Sequence, residues 1–130
     1  MRPKDYAKWH RNKAYLHNTK IRPNFHEKEI WFCSLGSNIG YEQDGSGSHY
    51  LRSAIIVRKF NNQVALIVPL TKTAKTGVHY FSLQFRPNEM STAILSQIRL
   101  IDGKRLQYKA GNISKANCNL LKQKLKQLIA

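Results

Sequence analysis

Acidic side chains are scarce in this chain, with 7 Asp and Glu against 22 Lys and Arg in 130 residues, a formal net charge of +15. So large an unbalanced charge repels itself in a compact body, and it points to a polyanionic partner: nucleic acid, an anionic surface or an acidic protein. A basic coat that serves solubility alone is the blander reading. Cysteine is scarce too. Cys33 and Cys118 are far apart and form no CxxC pair, so they read as buried thiols; a single disulfide between them stays open, though nothing else suggests an oxidising compartment. Long apolar runs are missing. Val64 to Leu70 is the longest, far too short for a bilayer, and the N-terminal stretch lacks the apolar segment of a secretion signal, so the expected location is the cytoplasm with no membrane partner. Internal repeats and low-complexity tracts are absent as well.

What is present is enough to fold. The length suits one domain, and a hydrophobic content of 42% exceeds that of a disordered polycation. Residues 1 to 27 form a basic extension rich in Lys, Arg, His and Asn. Tyr6, Trp9 and Leu16 recur there at helical spacing, which predicts a short helix after Pro3 that Arg22-Pro23-Asn24 ends. Such a helix can pack on the body through Trp9; the alternative is a frayed basic arm.

From Glu29 the pattern becomes strand-like. Glu29 to Cys33 is apolar and aromatic, and a long loop follows from Ser34 to Gly47, carrying Gly36, Gly40, Gly45 and Gly47 together with Glu42, Gln43 and Asp44. Ala54 to Val57 and Val64 to Leu70 are β-branched runs joined through Asn61-Asn62, a hairpin signature. Val78 to Phe85 alternates again. Ala93 to Ile101 is the next predicted strand, and its pleat would project Gln97 and Arg99 together on one face. The tail reads as a helix capped by Ser114, with Cys118, Leu121, Leu125, Leu128 and Ile129 on one stripe. Five or more short strands in a meander plus a terminal helix predict a mainly β protein: a small, strongly bent antiparallel sheet or partial barrel.

Catalytic motifs are mostly excluded. His26-Glu27 opens an HExxH-like string, but its fifth position is Ile30, so no metal site is expected. The glycine loop matches neither the P-loop nor the dinucleotide fingerprint, and no GxSxG context exists, so neither a nucleotide cofactor nor an acyl-transfer serine is expected. What remains is a basic protein with Glu42, Gln43, Arg52, Thr71, Gln97 and Arg99 on strands and a loop, which suits single-stranded RNA: cations for phosphates, amide and carboxylate groups for unstacked bases.

The order EIWFCSLGSNIGYEQDG, LRSAIIV, VPLT, ILSQIRLIDGKRL and then a Leu-rich helix resembles the PemK/MazF family of toxin endoribonucleases over about residues 28 to 130. The resemblance implies a compact antiparallel barrel of the CcdB-like type and a homodimer. It also implies metal-independent cleavage of single-stranded RNA without a cofactor, and silencing by an acidic antitoxin through which alone DNA is contacted. Motif by motif, it implies Arg52 and Thr71 as catalytic residues and Glu42, Gln43 and Gln97 as substrate-binding residues. Position 53 is Ser where the family pattern has Pro, and Tyr41 stands where some members carry His, so no histidine role transfers there. Glu42 and His49 are the acid/base candidates. The rival reading is the same barrel without catalysis, an RNA-binding or antitoxin-binding module. A DNA-directed action of the CcdB type fits less well, because the glycine loop and the Gln-Ile-Arg string follow the ribonuclease branch.

Overall fold

The computed structural model describes residues 3–130; the first two positions of the basic extension lie outside them. Helix α1 spans Tyr6–Asn18, and the carboxylate of Asp5 opens it by accepting from the Lys8 N–H at 2.9 Å. Trp9 and Leu16 are buried beneath it, whereas Tyr6 is half exposed. The helix ends before Arg22-Pro23-Asn24. Thr19 turns to extended angles and closes the last turn itself, its N–H returning to Leu16 O and its hydroxyl to Tyr15 O. The following segment is tied down by Arg22, whose guanidinium grips both Asp102 oxygens at 2.8 Å, and by Phe25, which is buried.

Seven strands follow: β1 Glu29–Ser34, β2 Leu51–Lys59, β3 Val64–Thr71, β4 Tyr80–Arg86, β5 Glu89–Ile94, β6 Arg99–Asp102 and β7 Leu106–Asn112; helix α2, Lys115–Ile129, completes the chain. They form one antiparallel sheet in the order β4-β5-β3-β2-β1-β7, with β6 also on β3. The β2–β3 turn is held by Asn61, whose side-chain oxygen accepts from the N–H groups of Gln63 and Val64. The sheet curls until its ends meet: Phe85 of β4 packs on Gly111 of β7, and Arg86 reaches the Ala110 carbonyl at 3.4 Å.

The predicted strand Ala93–Ile101 is interrupted. A 3-10 turn, Leu95–Gln97, separates β5 from β6, so Gln97 and Arg99 do not share one pleat. The reason lies in β3, whose outer edge both strands use. Val64 to Ile67 pair with β6 and Leu70 to Thr71 with β5, and the gap between them holds Pro69, which has no N–H to extend a ladder.

Because β2 is buried on both sides, its alternate residues enter two cores. Ile55 and Val57 join Ile30, Val68, Leu70, Leu95 and Leu121 beneath α2, while Ala54 and Ile56 join Phe25, Trp31, Leu35, Ile67 and Leu106 on the other face. Helix α2 begins at Ser114, which caps it by accepting from Asn117 N–H at 3.1 Å, and it buries Cys118, Leu121 and Leu125. Ile129, predicted on that stripe, is exposed, whereas its neighbour Leu128 packs against the core. Cys33 and Cys118 are free, buried thiols in different cores. Burial in an apolar setting pushes the Cys33 thiol up to about 12.

Candidate functional site

Arg52 is the second residue of β2 and Thr71 the last of β3, and these neighbouring strands deliver both side chains into one open cleft of about 430 Å³. Gln43 and Tyr41 from the glycine loop, Ser96 and Gln97 from the 3-10 turn, Thr73 and Lys75 from the β3–β4 connection and Tyr80 at the start of β4 build most of the remaining wall. Two cations, three hydroxyl residues, two amides and two tyrosines line it together with Ile94, and no acidic side chain does. Such a lining attracts an anion and offers ring faces to a base.

The Arg52 guanidinium is fixed before any ligand arrives. Its Nε donates to Asp44 O at 2.6 Å and its Nη1 to Leu70 O at 3.1 Å. The Gln43 amide satisfies its surroundings with Oε1 toward the guanidinium, accepting from Nη2 at 2.8 Å and sharing Nε at 2.9 Å. Three of the five N–H groups of an arginine are thereby engaged, leaving one on each terminal nitrogen for an incoming ligand such as a phosphate. Burial lowers the Arg52 guanidinium from its ordinary value, an effect that the charge of Asp44 opposes. Thr71 Oγ1 accepts from Thr73 N–H at 3.2 Å, so its own hydroxyl proton is free to be donated.

Gln97 holds the loop as well as lining the cleft: its Oε1 accepts from Gln43 N–H at 3.2 Å and its Nε2 donates to Tyr41 O at 3.3 Å. Glu42 lies elsewhere. It lines a second cleft of about 320 Å³ with Asn38, Ile98 and Arg99, and the two clefts share Gln43, Ser96 and Gln97 as a common wall. One Glu42 oxygen accepts from Ile39 N–H at 3.0 Å; the other makes no bond within the described residues. His49 is exposed and lines neither cleft, and only its backbone carbonyl is engaged, by the Ser34 hydroxyl.

Arg99 and Arg105 do not pair with Asp102, which Arg22 occupies. Arg99 turns into the second cleft, and Arg105 is a scaffold group, donating to Ser34 O at 3.0 Å with its guanidinium 5.7 Å from the Trp9 ring. Sequence reasoning missed Lys75 and Tyr80, which stand 5.7 Å apart in a cation–π pair at the cleft. The only signal for them was the polar, basic run after Thr71. Among the described residues no three His, Cys, Asp or Glu side chains come together as a metal would require, and no helix is long and apolar enough to cross a membrane.

Fold and cleft together define a class, the small proteins built on a curled antiparallel sheet with a C-terminal helix and a basic groove. Within that class the family is settled by sequence: residues 26–129 match the model of the PemK-like, MazF-like toxins of type II toxin-antitoxin systems, and the chain belongs to that family, whose members are endoribonucleases. Solved structures show the same fold at low identity. MazF from Deinococcus radiodurans superposes with a TM-score of 0.63 at 15% identity, over 85% of this chain and 98% of that one. An endoribonuclease from a mycobacterial species, solved in complex with its cognate antitoxin, gives 0.60 at 16% identity over 82% and 94%. The Mycobacterium tuberculosis toxin MazF-mt6 gives 0.60 at 12% identity over 78% and 95%. No curated protein is close enough in sequence to match.

Proposed function

We propose that this toxin cuts single-stranded RNA at a phosphodiester held by Arg52 and Thr71, using the substrate's own 2'-hydroxyl and no metal. The observation that carries the reading is the shared cleft, lined both by a pre-set guanidinium with two free N–H groups and by a hydroxyl with a free proton. In the reaction the 2'-oxygen forms a bond to phosphorus and the bond to the 5'-oxygen breaks. The 2'-proton passes to a base and the leaving oxygen takes up a proton, leaving a 2',3'-cyclic phosphate and a 5'-hydroxyl. Arg52 and the Thr71 hydroxyl stabilise the charge that grows on the phosphoryl oxygens, a preorganised arrangement that needs no rearrangement at the moment of reaction.

An always-charged guanidinium is a poor base, and the cleft lining holds no carboxylate or imidazole. The base must come from the rim, where Glu42 offers its free oxygen across the wall shared by the two clefts. A strand that crosses both clefts places a second phosphate near Arg99 and stacks bases on Tyr80 and Tyr41. His49, outside both clefts, has no part in this proposal. An acidic antitoxin that covers the same cations and a homodimeric assembly complete the proposal; copurification with the product of an adjacent reading frame and sedimentation of the free protein test them.

Purified protein incubated with long single-stranded RNA in EDTA should give discrete fragments ending in cyclic phosphates. Arg52→Ala should slow the cutting about a hundredfold or more, as expected when one preorganised donor is lost. Binding with no fragments from the wild type would make the protein a binding module, and unaltered cutting by the variant would remove Arg52 from the chemistry.

A further inference from the structure

Helix α1 precedes the family-matched region 26–129, yet its contacts converge on the loop that frames the cleft. We propose that α1 and the residues leading into it form a positioning element: Lys4, Tyr6 and Trp9 lock the glycine loop in the shape that lets Asp44 and Gln43 hold the Arg52 guanidinium. The catalytic half of this proposal rests on the ribonuclease reading above; the structural half does not.

The loop needs an external lock. It carries Gly36, Gly40 and Gly47 at φ values of +79, +54 and +75, and a glycine-rich segment loses more freedom on ordering than any other. Lys4 supplies the first tie. Its Nζ lies 2.8 Å from Asp44 Oδ2, with the two side chains only 14% and 28% exposed, and it also donates to Asn38 O and, at 3.4 Å, to Gly40 O. Tyr6 adds a hydroxyl to Asn38 O at 3.0 Å. The other Asp44 oxygen accepts from Asn38 N–H at 2.6 Å, and Asn38 Nδ2 donates to Gln43 O at 2.9 Å. Asp44 is therefore the joint: its side chain is held by Lys4, just ahead of α1, and its carbonyl takes Arg52 Nε at 2.6 Å.

Trp9 closes the loop's base. It lies on Gly36 with no room for a Cβ between them and packs 5.1 Å from the Tyr50 ring at the loop's far end. Asn12 reaches Ser34 Oγ at 3.2 Å, and that hydroxyl in turn donates to His49 O at 2.8 Å, so both ends of the loop are tied to the helix. At its other end α1 has separate anchors, the Arg22–Asp102 pair and a Lys104 Nζ bond to His17 O at 2.7 Å. Removing Lys4 and Tyr6 contacts therefore leaves the helix attached.

The test compares the full-length wild type, the double variant Lys4→Met with Tyr6→Phe, the single variant Lys4→Arg, and Arg11→Ala, which removes one charge from an exposed position on the same helix. Without RNA, amide exchange at Asn38, Gln43 and Gly45 should speed up about tenfold in the double variant, the effect of losing a charge-assisted tie on local opening. Amides of α2 should not change, and Arg11→Ala should match the wild type. With saturating RNA, kcat should fall about tenfold while KM moves little, since a misplaced guanidinium loses transition-state contacts rather than encounter charge. Lys4→Arg, which keeps the charge and the Tyr6 hydroxyl, should leave both near their wild-type values.

Unaltered loop exchange in the double variant overturns the proposal, and so does acceleration that is equal in α2, which would signal global loosening. Faster loop exchange with undiminished kcat overturns the positioning role. If the loop loosens as expected while even the wild type cuts no RNA, the lock stands and the ribonuclease reading falls.

Discussion

Glu29 shows how a single carboxylate ties the first strand to its surroundings. Its Oε1 accepts from His26 N–H at 2.7 Å and from Trp31 Nε1 at 3.0 Å, and its Oε2 lies 3.2 Å from Lys109 Nζ. Burial alone would push this group up, but the donors and the lysine outweigh it and hold the carboxyl below its ordinary 4.5. A Lys59 N–H holds Glu27 low, and the Arg22 guanidinium does the same for Asp102. Depressed carboxylates stabilise the fold above their unfolded values, and that stability drains away as pH falls through the folded ones. Urea midpoints should accordingly drop below about pH 4.5, and Glu29→Gln should flatten part of that slope; an identical acid limb in the variant would rule Glu29 out as a contributor. At this scale Arg52, Thr71, Gln43 and Gln97 could be named as candidates because each sits in a recognisable string, although Arg52 is followed by Ser53 in place of the family's Pro. That Gln43 and Asp44 clasp the arginine was not legible, because hydrogen bonds formed by a carbonyl and a rotating amide leave no trace in residue type.

Among the elements, the glycine loop and the β5–β6 break decide the shape of the cleft. The loop was readable from its glycines, and Gly36 has a reason beyond flexibility: at φ +79 an added Cβ would sit 2.1 Å from the Trp9 ring. Gly36→Ala should therefore destabilise the protein by roughly 2 kcal/mol, from overpacking together with the left-handed backbone. Urea unfolding followed by tryptophan fluorescence measures it, and a loss under about 0.5 kcal/mol would mean that the indole yields freely. The break at Leu95–Gln97 escaped the alternation pattern, because Ile94 at the end of β5 and Leu95 at the start of the turn are both buried, as strand residues can be. Only the pairing of β3 with two partners, with Pro69 between, forces the chain to step there. The step moves Gln97 off the ladder and into the wall between the two clefts, where it holds Gln43. Likewise, α1 was expected to run to Arg22 but ends at Asn18, since Thr19 can close the last turn with its own hydroxyl and N–H.

For the whole molecule the governing quantity is the charge of +15, to which Arg52 and Lys75 contribute at the first cleft and Arg99 at the second. Binding of the slowed Arg52→Ala variant to single-stranded RNA should weaken with salt by about 0.7 in log affinity per log unit for each phosphate still neutralised. Replacing Lys75 and Arg99 together should shrink that slope by roughly 1.4, and a slope that does not change would place the RNA on another face. The sequence by itself determined the fold class, the strand count to within a few, both helices, the basic character and the motif residues, because hydrophobic period, capping residues and charge are local properties that survive without coordinates. Tertiary structure alone decided that β2 and β3 bring Arg52 and Thr71 into one cleft, that Glu42 stands across a shared wall and His49 outside, and that α1 closes on the glycine loop. Those outcomes depend on sheet curl, strand order and contacts such as Gln97 to Tyr41, 56 positions apart in the chain, which no local pattern encodes.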